Sequence, residues 1–325
     1  MKFLKTLSIV GLALAAPLSH AQTWPARTVT WIVPFAAGGP TDAMARDIAE
    51  KVGKQIGQTV IIENAAGAGG TIGATKAARA QPDGYTFLVG HMGYMGAGPS
   101  LYKKLNYDPV KSFEAVFRFP DTPLVLLVGP SSPYKNAADL IAAAKANPGK
   151  INFGHAGVGS TSHLIAALFA SKAGIEVTQV AYKGAAPAMN DLMGGQVDAM
   201  FDQSNTALPQ VQSGRLKALA LTSLTPMPQQ YPGVSPLAEK LLPGFEAATW
   251  YGLYAPLGTP KDVTQKMHQA YVKAMTDKTW TQRMAGQGIH LLPDAHYAPE
   301  SFARHTAAEV DKWRKVVADA KIEID

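Results

Sequence analysis

Two segments carry residue types suited to gripping an anion. The first is Pro34-Phe-Ala-Ala-Gly-Gly-Pro-Thr-Asp42, where small side chains and two glycines follow a β-rich run and precede an apolar-periodic helix. Backbone N–H groups in such a loop can point freely into space, and the dipole of the following helix adds about half a positive charge there. A carboxylate is the natural guest. The alternative is an ordinary strand-to-helix turn in which Thr41 or Asp42 only caps the helix. The second segment is His155-Ala-Gly-Val-Gly-Ser-Thr-Ser-His163, again a strand running into glycines, hydroxyls and a helix. Two such helix starts facing each other across a cleft would clamp one anionic group between them.

Other chemistry finds less support. Ser160 or Ser162 with His163 supplies a nucleophile and a base, but no G-x-S-x-G elbow surrounds either serine and no third, orienting residue can be named. Gly157-x-Gly159 lacks the third glycine of a dinucleotide fingerprint, with Ser162 in its place. Gly67-Ala-Gly-Gly-Thr71 lacks the Gly-Lys-Ser/Thr ending of a phosphate loop and reads as a close backbone turn. The histidines are scattered, with no H-E-x-x-H and no clustered carboxylates, so neither a metal nor a cofactor is expected. The absence of cysteine removes disulfides, thiolate metal sites and cysteine nucleophiles together. Lys183, in Tyr182-Lys-Gly184, is either a cleft cation or an exposed helix-cap residue. Asp202, at the end of a strand over 197–201, either accepts hydrogen bonds from a ligand or holds a loop.

These loops need elements to position them, and the chain alternates strand and helix. A β-rich run over 28–35 leads into a helix opening at Pro40 or Thr41, with Met44, Ile48, Val52 and Ile56 on one apolar face and Gly57 as its stop. Strands follow at 59–62 and 85–89, with a helix over 71–80 between them. After a less regular stretch the rhythm resumes with strands at 123–128, 151–155, 177–182, 197–201 and 216–221. Helices at 137–146, 160–173, 185–193 and 207–213 separate them. A strand over 249–255 precedes three helices, 261–276, 280–287 and 299–320. Strand–helix–strand repetition implies mostly parallel sheets with helical crossovers. The last helices have no strands of their own to cover and are expected to pack back on the first sheet. The expected fold is therefore α/β with two lobes: 22–122 plus 248–325, and 123–247 as an insertion crossed twice by the chain. Two crossings make a hinge, and ligands of open α/β sheets sit beyond the carboxyl ends of strands.

Residues 1–21 read as a cleavable signal peptide. Lys2 and Lys5 precede a short apolar core over 7–16, and Ser19-His-Ala21 offers small residues for cleavage. The expected location is a bacterial periplasm, where ATP and NAD are scarce, which argues against a kinase or a dehydrogenase. The 325 residues are 47% hydrophobic and 17% charged, which excludes disorder. The formal charge of +6 is spread without a run of five basic residues, a mild attraction for anionic small molecules rather than a nucleic-acid footprint.

Beyond the two anion loops, further motifs occur in order: Glu63-Asn-Ala-Ala-Gly-Ala-Gly-Gly70, Gln81-Pro-Asp-Gly-Tyr-Thr86, Leu101-Tyr-Lys-Lys-Leu-Asn-Tyr-Asp-Pro109, Gly194-Gly-Gln-Val-Asp198 with Met200-Phe-Asp202, Gly214-Arg-Leu-Lys-Ala-Leu-Ala220 and Trp250-Tyr-Gly-Leu-Tyr-Ala-Pro256. Together with Val33–Asp42 and Tyr182–Gly184, they make the chain resemble the Bug-type periplasmic solute-binding proteins of tripartite tricarboxylate transporters. The resemblance implies a two-lobe, Venus-flytrap fold that binds a small carboxylate and delivers it to a membrane permease. A monomer is expected, and the thinly spread charge leaves no nucleic-acid partner expected. The carboxylate classes implied are di- and tricarboxylates, acidic amino acids and aromatic carboxylates.

Combined with the loops, the resemblance gives an expected ligand-binding set of Phe35, Ala36, Ala37, Gly38, Gly39, Thr41, His91, Met92, Gly157, Gly159, Ser160, Thr161, Tyr182 and Asp202. The chain departs from the family pattern at Ala181, at His91-Met-Gly-Tyr-Met-Gly96 and at Phe117-Arg-Phe-Pro-Asp-Thr122, positions expected to shape the pocket. Phe35, Met92, Tyr94 and Met95 are either walls for an aromatic ring or core fillers. The competing readings are a periplasmic serine hydrolase using Ser160 or Ser162 with His163, and a sensory subunit of a membrane kinase.

Overall fold

A computed structural model describes residues 24–289, 291–320 and 322. The expected signal peptide, residues 1–21, lies outside them. The first part of the chain runs β1 (Val29–Val33), α1 (Pro40–Ile56), β2 (Val60–Asn64), α2 (Thr71–Ala78), β3 (Thr86–His91), α3 (Gly98–Leu101) and β4 (Phe113–Arg118). It then crosses to a second sheet as β5 (Thr122–Val128), followed by α4 (Ala137–Ala146), β6 (Asn152–His155), α5 (Thr161–Ala173), β7 (Thr178–Ala181) and α6 (Ala185–Met193). Next come β8 (Ala199–Gln203), α7 (Ser204–Gln212), β9 (Lys217–Leu221), α8 (Leu237–Lys240) and β10 (Ala248–Thr249). The chain returns as β11 (Tyr251–Pro256) and ends in α9 (Lys261–Met275), α10 (Lys278–Gly286) and α11 (Pro299–Asp319).

The first sheet has the order β2-β1-β3-β11-β4 and the second β10-β5-β8-β6-β7, with β9 also paired to β5. Where a helix joins two strands, pairing is parallel: β1 with β2 and β3, and β6 with β7 and β8. Each sheet contains one strand that opposes all the others, β11 in the first and β5 in the second. These are the two strands entered directly after a crossing, at 118–122 and at 249–251. The sheets are thus mixed, with the reversal confined to the hinge strands. Sequence periodicity missed β4, because its only strand partner is β11, far along the chain. It missed as well a π-helical turn over Met92–Ala97.

Helix α1 buries Met44, Ala45, Ile48, Ala49 and Val52 on one face and stops at Gly57, which takes the left-handed conformation (φ 71°) that only glycine adopts cheaply. That face packs with Val29, Trp31 and Val33 and with Val263, Met267, Tyr271 and Trp280 of α9 and α10. The opposite face of the same sheet is covered by α11 through Phe302, Trp313 and Val317. The final helices therefore cover both faces of the first sheet, as expected. All seven residues of β5 are buried, and each such aliphatic side chain contributes about 1.5–3 kcal/mol. Rigid sheets of this kind hold the β1–α1 and β6–α5 loops at fixed positions on either side of one cleft. Among the described residues no helix is long and apolar enough to cross a membrane.

Candidate functional site

The cleft contains a cavity to which both lobes contribute. Phe35, Gly39, Pro40, Thr41 and His91 line it from the first, and Ala156, Ser160, Thr161, Ser162, Ala185 and Gln203 from the second. Its volume is about 20 Å³, close to the space of one water. The lobes are shut upon each other. Thr161 Oγ1 lies 2.8 Å from His91 Nε2, Tyr102 donates to the Val158 carbonyl at 2.7 Å, and Asn205 Nδ2 donates to the Pro40 carbonyl at 3.2 Å. The turn over 67–70 joins this contact. Gly69 (φ 59°) comes so close to Val158 that a Cβ would lie 1.9 Å from its carbonyl oxygen.

The starts of α1 and α5 both reach this cavity, Thr41 from one side and Thr161 with Ser162 from the other. The first N–H groups of a helix have no intrahelical acceptor, so these turns present donors and the positive ends of two dipoles. Within the loops, however, several N–H groups expected to meet a ligand are already used. Asp42 Oδ2 accepts from Gly38 N at 2.9 Å, while its Oδ1 accepts from Asn64 Nδ2. Gly38 and Ala37 are exposed, and Ala36 faces the other lobe, donating to the Lys183 carbonyl at 3.4 Å. Lys183 is thus placed at the lobe contact through its backbone. Burial opposes ionisation of Asp42, but hydrogen bonds from Arg46, Gly38 and Asn64 outweigh it and hold the carboxyl below its ordinary range.

Arg46 donates to Asp42 Oδ2 at 2.9 Å and to Asn64 Oδ1, with its side chain half exposed. It is not among the residues lining the cavity, and its guanidinium is held on the buried Asp42 carboxylate and on Asn64. Arg46→Ala should therefore change ligand affinity by no more than about threefold, since 1.4 kcal/mol would be tenfold. Isothermal titration calorimetry checks this; a tenfold loss would mean the guanidinium reaches the ligand.

The second loop shows the same economy. His163 Nδ1 accepts from Gly159 N and His155 Nδ1 from Gly157 N, both at 3.2 Å. On the other lobe His91 Nδ1 accepts from Gly93 N at 3.0 Å. An imidazole nitrogen that accepts carries no proton, so this network assigns all three rings as neutral with the proton on Nε2. His91 then donates to Thr161. Burial pushes His91 down to about 3 and His163 to about 4; His155 falls to about 3 through burial and the neighbouring His163. Ser160 caps α5 by accepting from His163 N, and Ser162 Oγ accepts from Ala156 N. His163 is spent on the loop, and its accepting nitrogen serves no serine as a base.

The remaining expected residues divide. Phe35 lines the cavity, edge-on to His91 at 5.1 Å between ring centres. Met92, Tyr94 and Met95 are core fillers, and Tyr94 donates to the Val89 carbonyl. Tyr182 donates to Asp191 Oδ2 at 2.7 Å, away from the cavity. Asp202 lies inside β8 rather than beyond it and borders a separate space. Gly157 and Gly159 take φ of 114° and 80° and shape the loop, their N–H groups given to His155 and His163. Not anticipated were Gln203, whose Nε2 donates to Thr249 Oγ1 at 3.0 Å, and Asn64, whose Nδ2 also donates to the Phe35 carbonyl. Asn64 sits in a quoted motif, but nothing local shows that it reaches back to β1. Among the described residues no group of three His, Asp or Glu side chains converges as a metal site.

Two α/β lobes with helix starts meeting at a shared cleft define a periplasmic-type solute-binding protein. The chain belongs to the tripartite tricarboxylate transporter family of receptors, whose sequence profile matches residues 44–322, and it is Bug-type. It is 34% identical over 325 residues to protein BugT of Bordetella pertussis, covering 98% of each chain. The solved structure of the periplasmic binding protein BugD superposes with a TM-score of 0.88 at 40% identity, over 92% of this chain and 99% of that one. MatC from Rhodopseudomonas palustris, solved with bound malate, gives 0.86 at 37% identity, over 90% and 100%. The family is one of receptors, so this chain binds a solute and is not an enzyme; the serine hydrolase reading is discarded.

Proposed function

We propose that the protein captures a small carboxylate between the first turns of α1 and α5 and presents it, lobes closed, to the membrane permease of a tripartite transporter. The observation that carries this reading is the convergence of Thr41, Thr161 and Ser162 on one cavity from opposite lobes. Backbone and hydroxyl donors at two helix starts favour negative charge without an arginine, at about 1.5–3 kcal/mol for each charge-assisted bond. The malate bound by MatC is a carboxylate of this kind. The proposed binding set keeps Phe35, Gly39, Thr41, His91, Ser160 and Thr161 from the sequence and adds Ser162 and Gln203. Export through residues 1–21 would bring the chain to the periplasm as a monomer, its two lobes being 22–122 with 248–325, and 123–247.

A thermal-shift screen across di- and tricarboxylates, acidic amino acids and aromatic carboxylates identifies the solute, because a ligand of the native state raises apparent stability by mass action. The best binder is then compared with its methyl ester by calorimetry. The ester should bind at least tenfold more weakly, having lost the charge that the helix starts favour. Equal affinity would remove the carboxylate from the mechanism.

A further inference from the structure

Two sequence motifs, Gly67-Ala-Gly-Gly-Thr71 and Leu101-Tyr-Lys-Lys-Leu-Asn-Tyr-Asp-Pro109, contribute no residue to the cavity lining. Both converge instead on Val158 of the other lobe. Tyr102, which ends α3, has its hydroxyl 2.7 Å from the Val158 carbonyl and 2.9 Å from the Ala68 carbonyl of its own lobe. A phenol has one proton, so the two carbonyls compete for it. Burial pushes Tyr102 up to about 12, so the proton is in place throughout the neutral range. Glycine makes the room. A Cβ at Gly159 would lie 2.9 Å from the Tyr102 hydroxyl and 3.2 Å from its ring, and Gly69 closes on Val158 from the other side.

The Val158–Gly159 peptide is thus held from both lobes. Its carbonyl accepts from Tyr102, and its N–H goes to His163 at 3.2 Å. The next residue, Ser160, caps α5, whose first turn carries Thr161 and Ser162 to the cavity. Tyr102 is not among the residues lining that cavity, so it acts on a solute there only through this peptide. We propose that Tyr102 is a positioning residue that latches the cleft: its O–H donates to the Ala68 carbonyl when the lobes part and turns to the Val158 carbonyl when they close, holding the start of α5 over the solute. The proposal rests on the reading that the solute lies between the starts of α1 and α5. A latch of this kind acts after capture. It slows release and leaves encounter alone, because in an open cleft the Val158 carbonyl is out of reach.

The test uses the whole protein. The chain has no cysteine, so Lys145→Cys and Lys273→Cys, on exposed positions of the two lobes, take a pair of dyes without competition. Single-molecule energy transfer gives the closed-to-open ratio without solute. Stopped-flow mixing with succinate, aspartate, glutamate and benzoate as probes gives association and dissociation rates. Tyr102→Phe keeps the ring and removes the hydroxyl. The closed-to-open ratio should fall about fivefold, about 1 kcal/mol, the net worth of one neutral hydrogen bond. The dissociation rate of any probe that binds should rise by the same factor, with no fall in its association rate. Gly69→Ala sets a Cβ against the Val158 carbonyl and must cause at least the same changes, which also decides the matter should Tyr102→Phe fail to fold. Both variants break one seat, so the double variant should add nothing to Gly69→Ala alone. Tyr85→Phe, which loses a hydroxyl bonded to Ala26 N within one lobe, should change none of these quantities. An unchanged ratio with unchanged release in Tyr102→Phe overturns the proposal, as does a loss confined to the association rate. A wild-type chain with no closed population, with or without a probe, overturns it as well. If no probe binds, the carboxylate reading loses its support while the solute-free ratio still decides Tyr102.

Discussion

Gly93→Val should abolish tight binding while leaving a folded protein. Gly93 belongs to the π-helical turn after β3, and a Cβ there would lie 2.5 Å from the Gly159 carbonyl oxygen and 3.2 Å from Ser160 Cα. Both atoms are backbone of the opposite lobe, so neither can swing aside. The two methyls of valine would wedge the cleft open at the place where α5 starts. One face of each sheet packs in a core confined to its own lobe, around Trp31 and Tyr271 in the first and Leu127 and Met200 in the second, so the ligand-free protein should stay folded. Affinity should fall at least 100-fold, about 2.7 kcal/mol. Calorimetry gives the loss, and small-angle scattering should show no decrease in the radius of gyration on adding ligand. Wild-type affinity, or compaction of the variant, would show that closure does not need this contact.

The three loop histidines make stability depend on pH, with a sign fixed by their burial. Folded His91 and His155 titrate near 3 and His163 near 4, while an unfolded chain takes up these protons near 6.5. Stability is therefore complete above about 6.5 and falls as the pH drops towards 3, because the unfolded state binds more protons. Each histidine contributes a slope of up to about 1.4 kcal/mol per pH unit. His268 and His305 are also depressed by burial and add to the slope. Other carboxylates titrate mainly below about 4.5, but burial raises Asp202 to about 7 in the fold, so between pH 6.5 and 5 its proton uptake offsets about one histidine's share and the net slope is that of the histidines less one. His155→Asn can still accept from Gly157 N through Oδ1 but cannot take a proton. Urea unfolding midpoints across that window should flatten by about one histidine's share in this variant. An unchanged slope would mean that His155 is not held neutral in the fold.

Much of this arrangement is legible in the residues. The stop of α1 at Gly57, the start of α5 at Ser160 and the two anion loops all follow from local chemistry, because caps and glycine conformations are local. What escaped is non-local. The alternating Phe113–Arg118 run is a strand only because β11 returns to it from the other lobe. The glycines announce loops that can expose N–H groups, yet they do not show that Asp42, His155 and His163 fold back to take those groups. The donors left for a ligand are displaced into the first turn of each helix. Asp202 reads as the end of a strand, whereas pairing with Val125 of β5 keeps it inside the sheet.

The central claim is that a carboxylate is held by the first turns of two helices and not by a basic side chain. A crystal structure of the complex with the best carboxylate from the screen tests it directly. The carboxylate oxygens should lie at hydrogen-bond distance, about 2.7–3.2 Å, from N–H or hydroxyl groups of Thr41, Thr161 or Ser162, with Gly38 N still on Asp42 and Gly159 N still on His163. Carboxylate oxygens seated instead on the side chains of Arg46 or Lys183, with the helix starts untouched, would contradict it.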